Sequence, residues 1–296
     1  MQNKSITIVV PIYGDWPSLR DCIKSLSVNV SNKVNKIFLV NDCGPEADRI
    51  EKNIKKLIKS KPKFVYHRNT KNLGFVKNCN NAVQKLDKTD NDILLLNSDT
   101  VVTKGFAEEM QKVLYSKSNI GVVSPRSNNA TICTIPLSAI HSKGINMDDS
   151  YKIYLENYNK FKAYNIAPTA HGFCILIRRE LIKKYGLFDE IFGKGYGEEV
   201  DFCQRIKKHG WLSVISNKSY VFHLEARSFS LEKKAELIKD SSKIIKKRYS
   251  GYRQEVIDYI DKNTKIESKI ICNKNYPKLT NRLINKFKRI LKRTGQ

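Results

Sequence analysis

Asp92-Ile93-Leu94-Leu95-Leu96-Asn97-Ser98-Asp99 is the stretch on which the reading of this chain turns: a strand-length apolar run that stops on two turn formers and a carboxylate. The run shows no polar alternation, as expected of a strand covered on both faces in a parallel sheet. Upstream the same arrangement recurs. Ser5 to Tyr13 reads as a buried strand, Trp16 to Val28 as a helix with Leu19, Cys22, Ile23 and Leu26 on one face, and Val34 to Val40 as a second strand leading into Asn41-Asp42. A helix from Pro45 to about Lys59, a strand at Phe64 to His67 and a helix from Leu73 to Leu86 complete the approach to Asp92. Strands alternating with helices predict βαβ units and a Rossmann-like α/β fold. Ligands of such sheets bind beyond the carboxyl ends of the strands, so Tyr13, Asp42 and Asp99 are expected to converge on one site.

Downstream of Asp99 a helix is expected from Lys104 to Tyr115 and a short strand from Gly121 to Ser124. Residues 125 to 168 then turn polar and irregular, too long for a simple connection and so a candidate functional loop. Order resumes with a strand at Gly172 to Ile177, a helix at Arg179 to Tyr185, a loop marked by Gly193, Gly195 and Gly197, and a helix from Glu198 to His209. Two short strands, Leu212 to Ile215 and Tyr220 to His223, follow, and from Leu231 the pattern is helical. The expected division is a catalytic domain over residues 1–230, with halves at about 1–124 and 125–230, and a helical extension over 231–296.

Composition narrows the partners. A 296-residue chain with 41% hydrophobic residues can bury one large core. The longest apolar run near the start is too short for a signal segment or a membrane span. Seven cysteines without a C-x-x-C pair read as reduced thiols in a cytoplasm. The net charge of +25 calls for a polyanionic partner, whether nucleic acid, anionic lipid or a phosphorylated substrate. Residues 271–296 hold eight of the basic side chains and no acidic one, around a helical stripe of Leu283, Ile284, Phe287, Ile290 and Leu291. That pattern fits a helix lying on an anionic membrane surface through residues 279–293, with packing onto protein as the alternative. The expected location is the inner face of the cell membrane, with the oligomeric state left open.

Two acidic groups carry chemistry. A hard cation such as Mg²⁺ or Mn²⁺ binds through one or two carboxylates plus substrate phosphates, so Asp99 at a strand end is a sufficient protein anchor. Glu198, Glu199 and Asp201 crowd three carboxylates into the first turn of a helix behind a Gly-rich approach. A helix N-terminus stabilises such charges, while their mutual repulsion favours a base or metal role over a purely structural one. Glycosyl transfer needs both parts: a carboxylate to take the acceptor hydroxyl's proton and a metal facing the departing diphosphate.

At this point the chain resembles the family 2 glycosyltransferases, inverting enzymes of the GT-A fold, over roughly residues 5–230. Ile8-Val9-Val10-Pro11-Ile12-Tyr13 is similar to the family's opening strand, Leu39-Val40-Asn41-Asp42 to its nucleoside-binding strand, and Asn72-Leu73-Gly74 with Asn80 to its N-x-G helix start. Asn97-Ser98-Asp99 looks like the DXD region, and Gly197-Glu198-Glu199-Val200-Asp201 like the ED-x-D base motif. The resemblance implies a mixed, mostly parallel sheet flanked by helices and a nucleotide-sugar donor held by Pro11, Tyr13, Asp42, Asn72, Gly74, Asn80, Asn97, Ser98 and Asp99. It implies Glu199 as base, with Glu198 and Asp201 beside it, Asp99 and His223 as metal ligands, and His171 and Gly172 on the acceptor side. The implied acceptor is a glycan or lipid-linked glycan of cell-surface polysaccharide assembly. Asn97 in place of the first Asp of DXD, Cys43-Gly44 in place of Gly-Ser, Glu at the base position, and Glu225-Ala226-Arg227-Ser228 after His223 depart from the pattern.

Three rivals fit less of the sequence. A nucleic-acid-binding module would use the charge but shows no recognition motif, so nucleic acid is not an expected partner. A nucleotidyltransferase would open with a Gly-rich phosphate loop, unlike Pro11-Ile12-Tyr13-Gly14-Asp15. A glycoside hydrolase would leave Asp42 and Asp99 without a task.

Overall fold

The computed structural model describes residues 4–141, 145–224 and 231–271. Its strands are β1 (Ile6–Ile12), β2 (Val34–Asn41), β3 (Phe64–Arg68), β4 (Asp92–Leu96), β5 (Thr100–Val102), β6 (Ile120–Arg126), β7 (Tyr164–Ala167), β8 (Cys174–Ile177) and β9 (Leu212–His223). The helices are α1 (Trp16–Asn29), α2 (Ala47–Ile58), α3 (Phe75–Asn81), α4 (Phe106–Leu114), α5 (Met147–Asn157), α6 (Arg179–Tyr185), α7 (Glu198–Lys207), α8 (Leu231–Arg248) and α9 (Tyr252–Ile270). The strands form one sheet in the order β3-β2-β1-β4-β8-β6-β9-β5, with β7 added on β9. The run from β1 to β4 is parallel, β8 lies antiparallel between β4 and β6, and β6 and β9 are again parallel.

The apolar runs are continuous because each face of the sheet is covered. Ile8, Val10, Leu94 and Leu96 pack with Leu19, Ile23, Ile50 and Met110 on one side, while Val9, Ile93 and Leu95 pack with Val76, Val83 and Phe202 on the other. Strand alternation thus divides one hydrophobic run between two cores. The last two helices join both: Ile245 of α8 enters the second cluster, and Tyr259 and Ile260 of α9 enter the first.

Three local expectations are corrected. Residues 125–168 are not an irregular loop but hold the end of β6, three 3₁₀ turns, α5 and β7, and they bury Ile132, Cys133, Ile135 and Leu137. Their mixed polarity hid this, because short elements leave no period to read. The two strands expected between 212 and 223 are a single β9, whose pairing with β6 jumps from Ser216 to Tyr220. That jump accommodates the buried polar Asn217, which bonds Arg126, the Lys162 carbonyl and Asn165 and so resembles a turn in sequence. The third expected helix starts at Phe75 and ends in a π turn, Ala82–Leu86. The six cysteines among the described residues are free thiols, and no described helix is long and apolar enough to cross a membrane. The basic tail at 279–293, Cys272 and Glu225-Ala226-Arg227-Ser228 lie outside the described residues.

Candidate active site

Short β5, which the sequence does not announce, brings Asp99 and His223 together. Thr100 pairs with His223, and the Leu224 N–H donates to the Asp99 carbonyl at 2.9 Å. The pairing sets His223 Nε2 3.5 Å from Asp99 Oδ1. His223 Nδ1 lies 2.7 Å from the Asn129 carbonyl oxygen, which can only accept, so Nδ1 carries the proton. In the neutral ring Nε2 then presents its lone pair to a carboxylate. Two acceptors face to face repel unless a cation or a proton lies between them, and a divalent ion with carboxylate and imidazole ligands fits this pair. Among the described residues there is no cluster of three or more His, Cys, Asp or Glu side chains suited to a metal. Asn97 and Ser98 are half-buried beside it, with the Asn97 N–H donating to the Phe173 carbonyl at 2.8 Å.

The strand ends meet as expected, but some side chains face the protein. Asp42 is 3% exposed and its carboxylate accepts from Asn69 Nδ2 at 2.8 Å, Leu73 N at 2.8 Å and Gly74 N at 2.9 Å. It anchors the Asn72-Leu73-Gly74 turn. Burial raises its pKa, against the pull of these bonds. Asn72 reinforces the turn by donating to the Asp42 carbonyl at 2.9 Å. Tyr13, 37% exposed, and half-buried Pro11 stand at the mouth beside β2. A Cβ on Gly44 would lie 1.6 Å from the Tyr13 carbonyl oxygen, which explains the glycine there. Asn80 is not a donor contact: its amide is used at both ends by the Phe188 backbone, donating at 2.8 Å and accepting at 3.1 Å.

The start of α7 divides its three carboxylates. Glu199 lies against Gly172, where a Cβ would come within 3.5 Å of its carboxyl carbon. Burial raises the Glu199 pKa above the usual carboxylate value, tempered by backbone N–H groups that include that of Gly172. Glu198 is 4% exposed, and burial followed by the Glu199 charge pushes it up strongly. Oε2 of each is buried without a hydrogen-bond partner. Asp201 is different and is removed from the catalytic set. Its fully buried carboxylate accepts from Arg205 at 2.8 Å, Arg248 at 2.7 Å and Tyr249 at 2.9 Å, fastening the end of α8 to α7.

Residues 171–173 join the two sides. The Phe173 ring packs 5.2 Å from His223 and 5.4 Å from His171, while Gly172 abuts Glu199. His171 Nδ1 accepts from the Phe173 N–H at 3.3 Å, and burial lowers its pKa to about 3. It is therefore a neutral ring with its proton on Nε2, 3.5 Å from Thr131 Oγ1.

A family model described as glycosyl transferase family 2 matches residues 7–186, more than half of the chain. The chain belongs to that family. No curated protein matches the sequence. Among solved structures, this family 2 chain is similar to the mannosyltransferase PcManGT from Pyrobaculum calidifontis in complex with GDP-Man and Mn²⁺, at 12% identity and a TM-score of 0.61 over 97% of this chain and 80% of that one. It is similar also to GalNAc-T7 with UDP, GalNAc and Mn²⁺, at 15% identity and a TM-score of 0.58, covering 74% of this chain but only 44% of that chain's length. S. aureus TarS 1-349 in complex with UDP-GlcNAc matches at 14% identity and a TM-score of 0.51, over 88% of this chain and 73% of that one. These likenesses establish the GT-A fold.

Proposed function

We propose that this family 2 chain is an inverting glycosyltransferase that moves a sugar from a nucleotide-diphosphate sugar to a hydroxyl of a glycan or lipid-linked acceptor in cell-surface polysaccharide synthesis. The observation that carries the reading is the meeting of Glu199 with the Asp99–His223 pair across His171-Gly172-Phe173. The acceptor oxygen attacks the anomeric carbon, its proton passes to Glu199, and the bond to the diphosphate oxygen breaks with its electron pair leaving on the diphosphate. Glu199 suits the base role because it is buried, unpartnered at Oε2 and not committed to a salt bridge. Burial and the Glu199 charge raise the Glu198 pKa the further of the two, so Glu199 is the member of the pair suited to ionise first. His171 offers a neutral N–H on the acceptor side.

Asp99 and His223 would hold Mg²⁺ or Mn²⁺, which supplies positive charge toward the departing diphosphate. The donor lies along Pro11, Tyr13, the Asn72–Gly74 turn, Asn97 and Ser98, with Asp42 shaping that turn from beneath. The neighbours' printed ligands, UDP, GDP-Man and UDP-GlcNAc with Mn²⁺ in two cases, support the donor class. On sequence grounds alone, residues 279–293 lie on an anionic membrane surface, and deleting residues 272–296 should lower retention on anionic vesicles.

The test is a panel of nucleotide sugars with Mg²⁺ or Mn²⁺, followed by two variants. Glu199→Gln should lower transfer by about 10²–10⁴-fold while donor binding persists. Asp99→Ala should abolish the metal dependence of donor binding. Near-wild-type turnover in Glu199→Gln would overturn the base assignment.

A further inference from the structure

Besides its pairing with β5, the β9 end that carries His223 is gripped by a segment with no part in any sequence motif. The His223 N–H donates to Asn128 Oδ1 at 2.9 Å, and Asn128 Nδ2 donates to the His223 carbonyl at 3.0 Å. One side-chain amide thus satisfies both polar groups of the histidine's own backbone, as a neighbouring strand would. The next residue supplies the carbonyl that accepts from His223 Nδ1 at 2.7 Å. Asn128 is 7% exposed, and its segment is closed by the Ser127–Thr134 bridge and by Ala130 N–H donating to Thr134 Oγ1 at 3.0 Å. The segment is therefore a fixed clamp.

We propose that Asn128 is a positioning residue: it locks the His223 backbone in the register that brings Nδ1 onto the Asn129 carbonyl, and so fixes the tautomer that turns the Nε2 lone pair toward Asp99. The proposal rests on the reading of His223 as a metal ligand. An imidazole whose proton is pinned on one nitrogen by a carbonyl is a better ligand through the other, and loss of such a support weakens metal binding by about 10–100-fold. Asn is required in particular, because the contact uses one donor and one acceptor in a fixed fork. Aspartate keeps the acceptor but sets an oxygen against the His223 carbonyl.

The full chain with ¹⁵N-labelled histidine separates the two layers. Its five histidines are few enough to assign by replacement. At alkaline pH without metal, the ring nitrogen shifts of His223 should report the Nδ1–H form in the wild type and a mixture in Asn128→Ala and Asn128→Asp. Titration with Mn²⁺ alone, counting the free ion by electron paramagnetic resonance, should show affinity at least about tenfold weaker in both variants. An unchanged tautomer in both folded variants, or unchanged Mn²⁺ affinity beside a measurable wild-type value, overturns the clamp. A wild type that binds no Mn²⁺ while the variants lose the Nδ1–H form overturns the metal reading and leaves the clamp standing. Asn128→Asp keeps the side-chain size, so the test does not depend on Asn128→Ala folding.

Discussion

At Glu198 and Glu199, adjacent carboxyls share one helix start, and the more deeply buried one binds its proton more tightly. The folded pKa of Glu198 is raised above the unfolded value, so its contribution to stability is fully present below the unfolded pKa, about 4.3, and is lost as pH rises through the folded pKa. Gln resembles the protonated form and does not titrate. Glu198→Gln should therefore melt at a higher temperature than the wild type at alkaline pH, with the gap closing below about pH 4.3. For Glu199, in the base role proposed above, the sign is the reverse: a base must be ionised. The acid limb of kcat/KM should fall at a pH above that of an ordinary glutamate and disappear from the residual activity of Glu199→Gln. The positions of Asp99 just past a strand end and of Glu199 at a helix start were legible in the sequence, because an unbroken apolar run and a Gly-rich approach mark those element ends. Asp201 was misread for a geometric reason. Two positions along a helix turn a side chain through about 200°, so it faces α8 rather than the site. Asn80 misled likewise: position in a motif does not say which face of α3 the amide lies on.

Among elements, α9 illustrates what no local pattern shows. Arg126 on β6 and Glu267 on α9 form an ion pair at 2.9 Å, with side chains 0% and 4% exposed, and Glu267 also accepts the Leu137 N–H at 2.6 Å. One helix so braces the segment that follows the Asn128 clamp. Removing one partner strands a buried charge, and Glu267→Ala should cost about 3–5 kcal/mol in urea unfolding. Replacing both, as Arg126→Met with Glu267→Leu, should recover most of that loss. The central strands, by contrast, were legible from hydrophobicity alone, because burial on both faces writes an unbroken apolar run. β5 was not: three residues carry no period, and their strand character comes from β9, more than a hundred residues away.

On the scale of the whole molecule, the apolar stripes of α8 and α9 cap the two faces of the sheet. A chain ending at residue 230 would uncover Phe192 and Phe202 on one side and Leu137 on the other. It should lose near-ultraviolet circular dichroism and bind hydrophobic dyes, whereas a chain ending at residue 271 should keep the wild-type melting temperature within a few degrees. The family match ends at residue 186, before the start of α7, and the fold neighbours share only 12–15% identity. What they share is the fold.

The pairing of β5 with the end of β9 has a further consequence in time. During synthesis Asp99 leaves the ribosome long before His223, and the strand joining them is the last of the sheet to emerge. A nascent chain cannot bring Asp99 and His223 together until β9 has emerged and paired with β5.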